Sequence, residues 1–184
     1  MLFIYLTWLF WLVMILYWII TARTNSQTTI RSEVIPLFKL VFSALITYLP
    51  LPIGGWLARS LLNNSLGTNL AGVFLCAAGV GVAIWARHVL GRNWSGKVVV
   101  QQEHHVVDEG PYRMIRHPIY SGLLLAMLGV SLILGYIFSF AYLVFCAFGL
   151  VRKSKQEEEL LISQFPGEYE QYRKRTRALI PYVY

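Results

Sequence analysis

Between Leu2 and Ile20 the sequence carries no charged residue at all. An unbroken apolar run of that length is what a bilayer-spanning helix requires. It has no basic segment before it and no small-x-small cleavage site after it, so it reads as a retained helix and not a secretory leader. Charge is scarce throughout: 14% of residues are charged against 57% hydrophobic, which excludes an ordinary soluble domain. Cysteine is scarcer still. Cys76 and Cys146 both lie inside apolar runs, which excludes a disulfide framework and reads as two small buried hydrophobes.

Several chemistries are also missing their residues. The four histidines, His88, His104, His105 and His117, lack the helical spacing and partner carboxylates of histidine-rich membrane metal sites, so no metal is expected. There is no glycine-rich phosphate loop, and Ser121 has no Gly-x-Ser-x-Gly elbow around it. No repeat or low-complexity segment is present. The net charge of +7 comes from basic residues that flank apolar runs, not from an aromatic-interleaved soluble surface. Nucleic acid is therefore not expected as a partner, whereas a lipid bilayer is, with some attraction to anionic headgroups.

What the sequence does have is apolar spans. Five are legible: Leu2–Ile20, Val34–Leu62, Asn69–His88, Ile119–Leu134 and Tyr136–Val151. Pro50, Pro52, Gly54 and Gly55 predict a break in the second. The small residues of the third, among them Gly72, Gly79 and Ala83, predict close helix approach. The last two share only a Gly135-Tyr136 turn and predict a short helical hairpin. The fold expected is all-α, an integral, multi-pass membrane protein of about five transmembrane helices. Residues 1–88 hold the first three; residues 89–184 hold a polar loop, the hairpin 119–151 and a tail 152–184. With the N-terminus outside, 15 of the 16 Lys and Arg and all nine acidic residues fall on one face. The positive-inside rule makes that face cytoplasmic.

The polar residues concentrate in two stretches on that face. The first contains Gly110-Pro111-Tyr112-Arg113 and Arg116-His117-Pro118-Ile119-Tyr120-Ser121-Gly122, at the doorstep of an apolar helix. Ionisable groups at such a boundary are costly and mark a functional site by default. The second is the tail, where Glu157 and Glu158 continue a helix out of the fifth span. Pro166-Gly167 interrupts it, and Glu168–Arg177 reads as a second, amphipathic helix. Trp94, Tyr112 and Tyr120 offer aromatic faces that suit a sulfonium cation, although a tyrosine at a membrane boundary is also an ordinary anchor. Glu157 or Glu158 suits ribose hydroxyls or an amino group, and the extended run Val98-Val99-Val100-Gln101 suits backbone bonds to an adenine.

Taken in order, these motifs resemble the isoprenylcysteine carboxyl methyltransferase family, membrane enzymes that use S-adenosylmethionine. The resemblance runs through His104-His105-Val106-Val107, Gly110-Pro111-Tyr112 and Arg116 to Gly122. It resumes at Glu157-Glu158, Leu161 and Phe165, passes Glu168-Tyr169 and Tyr172, and closes at Leu179-Ile180-Pro181. It covers the chain from about Leu90 onward. It implies a cofactor pocket formed by the cytoplasmic loops and tail over the hairpin. The cofactor, S-adenosyl-L-methionine, would be bound by Gln101, His104, His105, Val106, Val107, Tyr112, His117, Pro118, Ile119, Tyr120, Glu157 and Glu158. Where the family has a substrate-holding arginine one turn before the glutamate, this chain has Lys153, which keeps the charge but not the bidentate fork. Arg113, Arg116 and Lys153 are then expected to neutralise the carboxylates of substrate and cofactor as the catalytic cations.

The implied reaction is methyl transfer to the carboxylate of a lipophilic substrate such as a C-terminal S-isoprenylcysteine. Three alternatives stay open at this point. A phospholipid amine methyltransferase would need His117, His104 or a glutamate as general base. A nicotinamide-dependent membrane reductase would bind a dinucleotide. A non-catalytic scaffold would use the same arginines and tyrosines for topology alone.

Overall fold

A computed structural model of the protein describes residues 2–23, 60–91 and 106–180. Five α-helices make up most of it: α1 (Leu2–Arg23), α2 (Leu66–Leu90), α3 (Pro118–Leu134), α4 (Ile137–Gln164) and α5 (Glu168–Arg175). A 3-10 turn, Gly110–Arg113, precedes α3. Three of these, α1 over Leu2–Thr21, α2 and α4, are long and apolar enough to cross a membrane. The 17 residues of α3 rise only about 26 Å at 1.5 Å each, short of the usual hydrocarbon thickness. The predicted second span lies outside the described residues except for its last three positions.

Each helix starts and stops for local reasons. Ser65 caps α2: its hydroxyl accepts from Thr68 N, while Thr68 Oγ1 accepts from Ser65 N, a reciprocal capping box. Pro118 supplies the fixed φ that opens α3. Gly135 closes α3 in the left-handed conformation at φ 67°, and its carbonyl accepts from Leu61 N at 2.7 Å. That is the turn read from the sequence, and it makes α3 and α4 antiparallel neighbours. The apolar part of α4, 137–151, is its membrane segment; the charged part, 152–164, continues without a break beyond it.

The core lies where α2 and α3 run antiparallel at backbone contact. A Cβ on Gly79 would fall on the Ala126 backbone nitrogen, and one on Gly129 would fall on the Gly72 carbonyl. In lipid there is little hydrophobic gain from pairing helices, so this closeness supplies the van der Waals packing. Trp11, Met14 and Trp18 of α1 join Cys76, Val80 and Ala83 of α2, Leu123, Met127 and Val130 of α3, and Cys146 of α4 in one core. The helices on either side of residue 88 therefore share a single interior. Leu9, Leu12 and Leu16 of α1 and Val144, Phe145 and Phe148 of α4 face outward, as lipid contact requires.

The Tyr17 hydroxyl near the end of α1 lies 3.3 Å from His88 Nδ1 near the end of α2. These two helices are thus parallel, and the chain leaves α1 at one end of the bundle and enters α2 at the other. The end that holds His88, Gly91, the 3-10 turn, the start of α3 and the charged half of α4 gathers the polar residues.

Candidate active site at the polar end of the bundle

The stretch from Met114 to His117 cannot join a helix, because the residue before Pro118 is kept out of the α region. Its backbone pairs instead with the tail that follows α5. Arg177 N donates to Met114 O (3.1 Å), Arg116 N to Arg177 O (2.7 Å) and His117 N to Ala178 O (3.0 Å). A parallel bridge joins Ile115 to Arg177, and the Ser121 hydroxyl donates to Leu179 O. The tail is a strap across the mouth of the hairpin.

Arg116 and Glu158 form the centre of the cluster. Arg116 Nε lies 2.8 Å from Glu158 Oε1, with both side chains only 9% exposed. Arg116 Nη1 donates to Thr176 O at 2.7 Å and Arg173 O at 3.2 Å. One guanidinium therefore ties the loop, α4 and the strap together, which its fork of five donors allows. Arg173 Nε stands 3.4 Å from Glu158 Oε2. Burial alone would raise the Glu158 carboxyl, but hydrogen bonds from His117 and Arg116 outweigh it and hold the group down at about 2.

Glu157 faces the other way along α4 and remains a third exposed. Its Oε1 accepts from the Tyr120 hydroxyl at 2.6 Å, and Lys153 Nζ lies 3.7 Å away. Lys153 also sits 5.5 Å above the Tyr120 ring. His117 stacks on Tyr120 with centroids 5.5 Å apart and planes 3° from parallel. Burial would likewise raise Glu157, yet the bonds from His117 and Tyr120 keep it below its ordinary value. Two carboxylates, a histidine, a tyrosine and a lysine thus meet at the seam of α3 and α4.

The sequence-predicted residues divide cleanly. Tyr112, His117, Pro118, Ile119, Tyr120, Lys153, Glu157 and Glu158 gather at this seam or directly beneath it. Tyr112 is buried, and its carbonyl accepts from the Tyr172 hydroxyl at 2.7 Å. Val107 packs on the core beside it, and Val106 N donates to Glu168 Oε1 at 2.9 Å. Arg113 is exposed on the 3-10 turn. Gln101, His104 and His105 lie outside the described residues. Of the three expected cations, Lys153 reaches the seam, Arg116 pairs with Glu158 and Arg113 is exposed on the 3-10 turn. A carboxylate buried at that depth requires a counter-charge, and Arg116 is the nearest fork that can supply it.

Three participants, Arg173, Arg175 and Arg87, carried no motif, and Glu168 carried one without a stated role. Arg173 shares Glu158, Arg175 holds Asp108 at 2.6 Å, and Glu168 fixes Val106. Arg87 is 2% exposed in the last turn of α2, where its Nη1 donates to Gly91 O at 2.9 Å. An arginine inside the third span was the available signal for the last of these. Among the described residues no group of His, Cys, Asp and Glu could hold a metal ion.

The sequence model of the isoprenylcysteine carboxyl methyltransferase family matches residues 71–163, half of the chain, and includes every residue of the α3–α4 seam. The chain belongs to this family. It is similar to Protein-S-isoprenylcysteine O-methyltransferase of Schizosaccharomyces pombe, 34% identical over 85 residues, which are 45% of this chain and 35% of that protein. The protein of the same name from Saccharomyces cerevisiae is 29% identical over 129 residues, 67% of this chain and 54% of that one. Uncharacterized protein YpbQ of Bacillus subtilis is 29% identical over 133 residues, 70% and 75% of the two chains. The match to the two yeast enzymes spans about a third to a half of their length.

Proposed function

We propose that the protein transfers a methyl group from S-adenosyl-L-methionine to the carboxylate of a lipophilic, prenylcysteine-like substrate at the membrane interface. The observation that carries this reading is the seam itself: Glu157, third-exposed, framed by Tyr120 and Lys153 at the boundary of an apolar helical hairpin. The donor set fits the cofactor. A carboxylate suits its ammonium or ribose hydroxyls. Half-exposed Lys153 suits a carboxylate. When bound, the cofactor supplies an electrophilic methyl group on a sulfonium.

The residues then need only hold the partners in place. A carboxylate is already ionised at neutral pH, so no side chain has to remove a proton. Alignment of nucleophile and methyl group is worth about 7–11 kcal/mol. Lys153 would steer the substrate carboxylate toward the seam, and the outward apolar face of α4 would admit its lipid tail sideways from the bilayer. Arg116 acts through Glu158 and not on the substrate; Arg113, exposed on the turn, is the second candidate for the substrate's charge. The concentration of basic residues at this end supports a cytoplasmic active site.

The test is steady-state methylation of an N-acetylated S-farnesylcysteine by the protein in nanodiscs, with labelled S-adenosylmethionine. Base-labile methyl ester should form with wild type. Lys153→Ala should raise KM for the prenylcysteine at least tenfold while the cofactor still binds. Absence of ester from a protein that binds the cofactor would overturn the carboxylate as acceptor.

A further inference from the structure

Both ring nitrogens of His117 face carboxylates: Nε2 lies 3.2 Å from Glu158 Oε1 and Nδ1 lies 3.5 Å from Glu157 Oε2. A neutral imidazole has one N–H, so one of these carboxylates would confront a lone pair. We propose that His117 is a buried imidazolium, a positioning residue that locks Glu157 and Glu158 and accepts no proton from substrate. The inference rests on the methyltransferase reading for its consequence, though not for its geometry.

Consecutive residues on a helix diverge by about 100°, so Glu157 and Glu158 would naturally point apart. A ring that meets a carboxylate at both ends spans that gap. His117 cannot swing away: its N–H is held by Ala178 O, its carbonyl accepts from Ser121 N at 3.1 Å, and Tyr120 covers one face. The surrounding charges are distributed around it. On α4, Lys153 approaches Glu157 Oε1 and leaves Oε2 to the ring. From the loop and α5, Arg116 and Arg173 approach Glu158. From α3, the Tyr120 hydroxyl takes Glu157 Oε1. The phenols of Tyr112, which feels both Arg87 and Glu157, and of Tyr169, which feels Glu158, are pushed well up by burial and stay neutral. Burial alone would push the His117 pKa down, but the bonds to Glu157 and Glu158 reverse this and hold it above its ordinary value.

The consequence is a site that cannot use His117 as a base and that loosens in alkali. What the raised pKa contributes is complete below the ordinary histidine value and is lost as pH rises through the raised one. Glu157, released from Nδ1, would then lose the orientation that presents it to the cofactor.

The test is nitrogen NMR of 15N-histidine-labelled protein in nanodiscs. The His117 signals are assigned from His117→Gln, and by elimination in His88→Asn, His104→Asn and His105→Asn should that variant not fold. The expected result is a ring with both nitrogens protonated at pH 7 and a midpoint above that of a free histidine. Affinity for S-adenosylmethionine should fall about tenfold per pH unit beyond that midpoint. A ring with one protonated nitrogen at pH 7 would overturn the proposal. Doubly protonated His117 in a protein that binds no S-adenosylmethionine at any pH would sink the methyltransferase reading and leave the imidazolium standing.

Discussion

Glu158 is shared by three basic side chains, Arg116, His117 and Arg173, and its removal strands the buried guanidinium of Arg116. Glu158→Ala should therefore destabilise the protein by about 3–5 kcal/mol, the cost of breaking a buried pair from one side, as read from thermal unfolding in detergent. Its carboxyl is held down at about 2, so the stability it contributes is present above the ordinary glutamate value of 4.5. That stability should drain away as pH falls from there toward 2, and Glu158→Gln should flatten this acid limb. Much of this was legible at the residue scale. His117, Tyr120 and Glu157 announced themselves as ionisable or aromatic residues at a membrane boundary, and the structure brings them together. Arg116 was legible as a site residue, but its pairing with Glu158 was not. Whether an arginine meets a substrate or a buried carboxylate depends on a partner 42 positions away, and no local pattern records that. Asp108 with Arg175, and Glu168 with Val106 N, were invisible for the same reason.

At the scale of elements, the hairpin and its turn followed directly from two apolar runs and a glycine, and the unbroken helix from 137 to 164 followed from the absence of a breaker before Pro166. The close packing of α2 on α3 was foreshadowed by small residues, but which of them touch was not. Gly79→Leu should separate the two helices, because its side chain would fall on the Ala126 backbone, and should cost about 1–3 kcal/mol or more in thermal unfolding. Gly81→Ala, two residues on and facing open space, should be neutral or stabilising by up to about 1 kcal/mol. The strap after α5 was not legible: the sequence reading carried the helix on to Arg177, and nothing in Thr176–Leu179 specifies a bridge to Ile115. Truncation after Arg175 removes the Thr176 carbonyl from Arg116 and the backbone partners of Arg116 and His117. Such a chain should keep the helical circular dichroism of the bundle and lose cofactor affinity at least tenfold.

For the whole molecule, the separation of polar from apolar is the organising fact. α1 and the first half of α4 show apolar side chains to lipid, while the ion pairs Arg116–Glu158, Lys153–Glu157 and Arg175–Asp108 all lie at one end. A lipophilic substrate and a polar cofactor could then approach the same seam from different phases. On the proposed function, the α3–α4 seam binds S-adenosylmethionine through Glu157. Calorimetric titration of the nanodisc-embedded protein with S-adenosylmethionine, beside Glu157→Gln, tests it most directly. Glu157→Gln keeps the size of the side chain and its acceptor oxygen while removing the charge. Wild type should bind in the micromolar range, and a Glu157→Gln variant of unchanged melting temperature at least tenfold more weakly. Equal binding by both, or none by folded wild type, would contradict that reading.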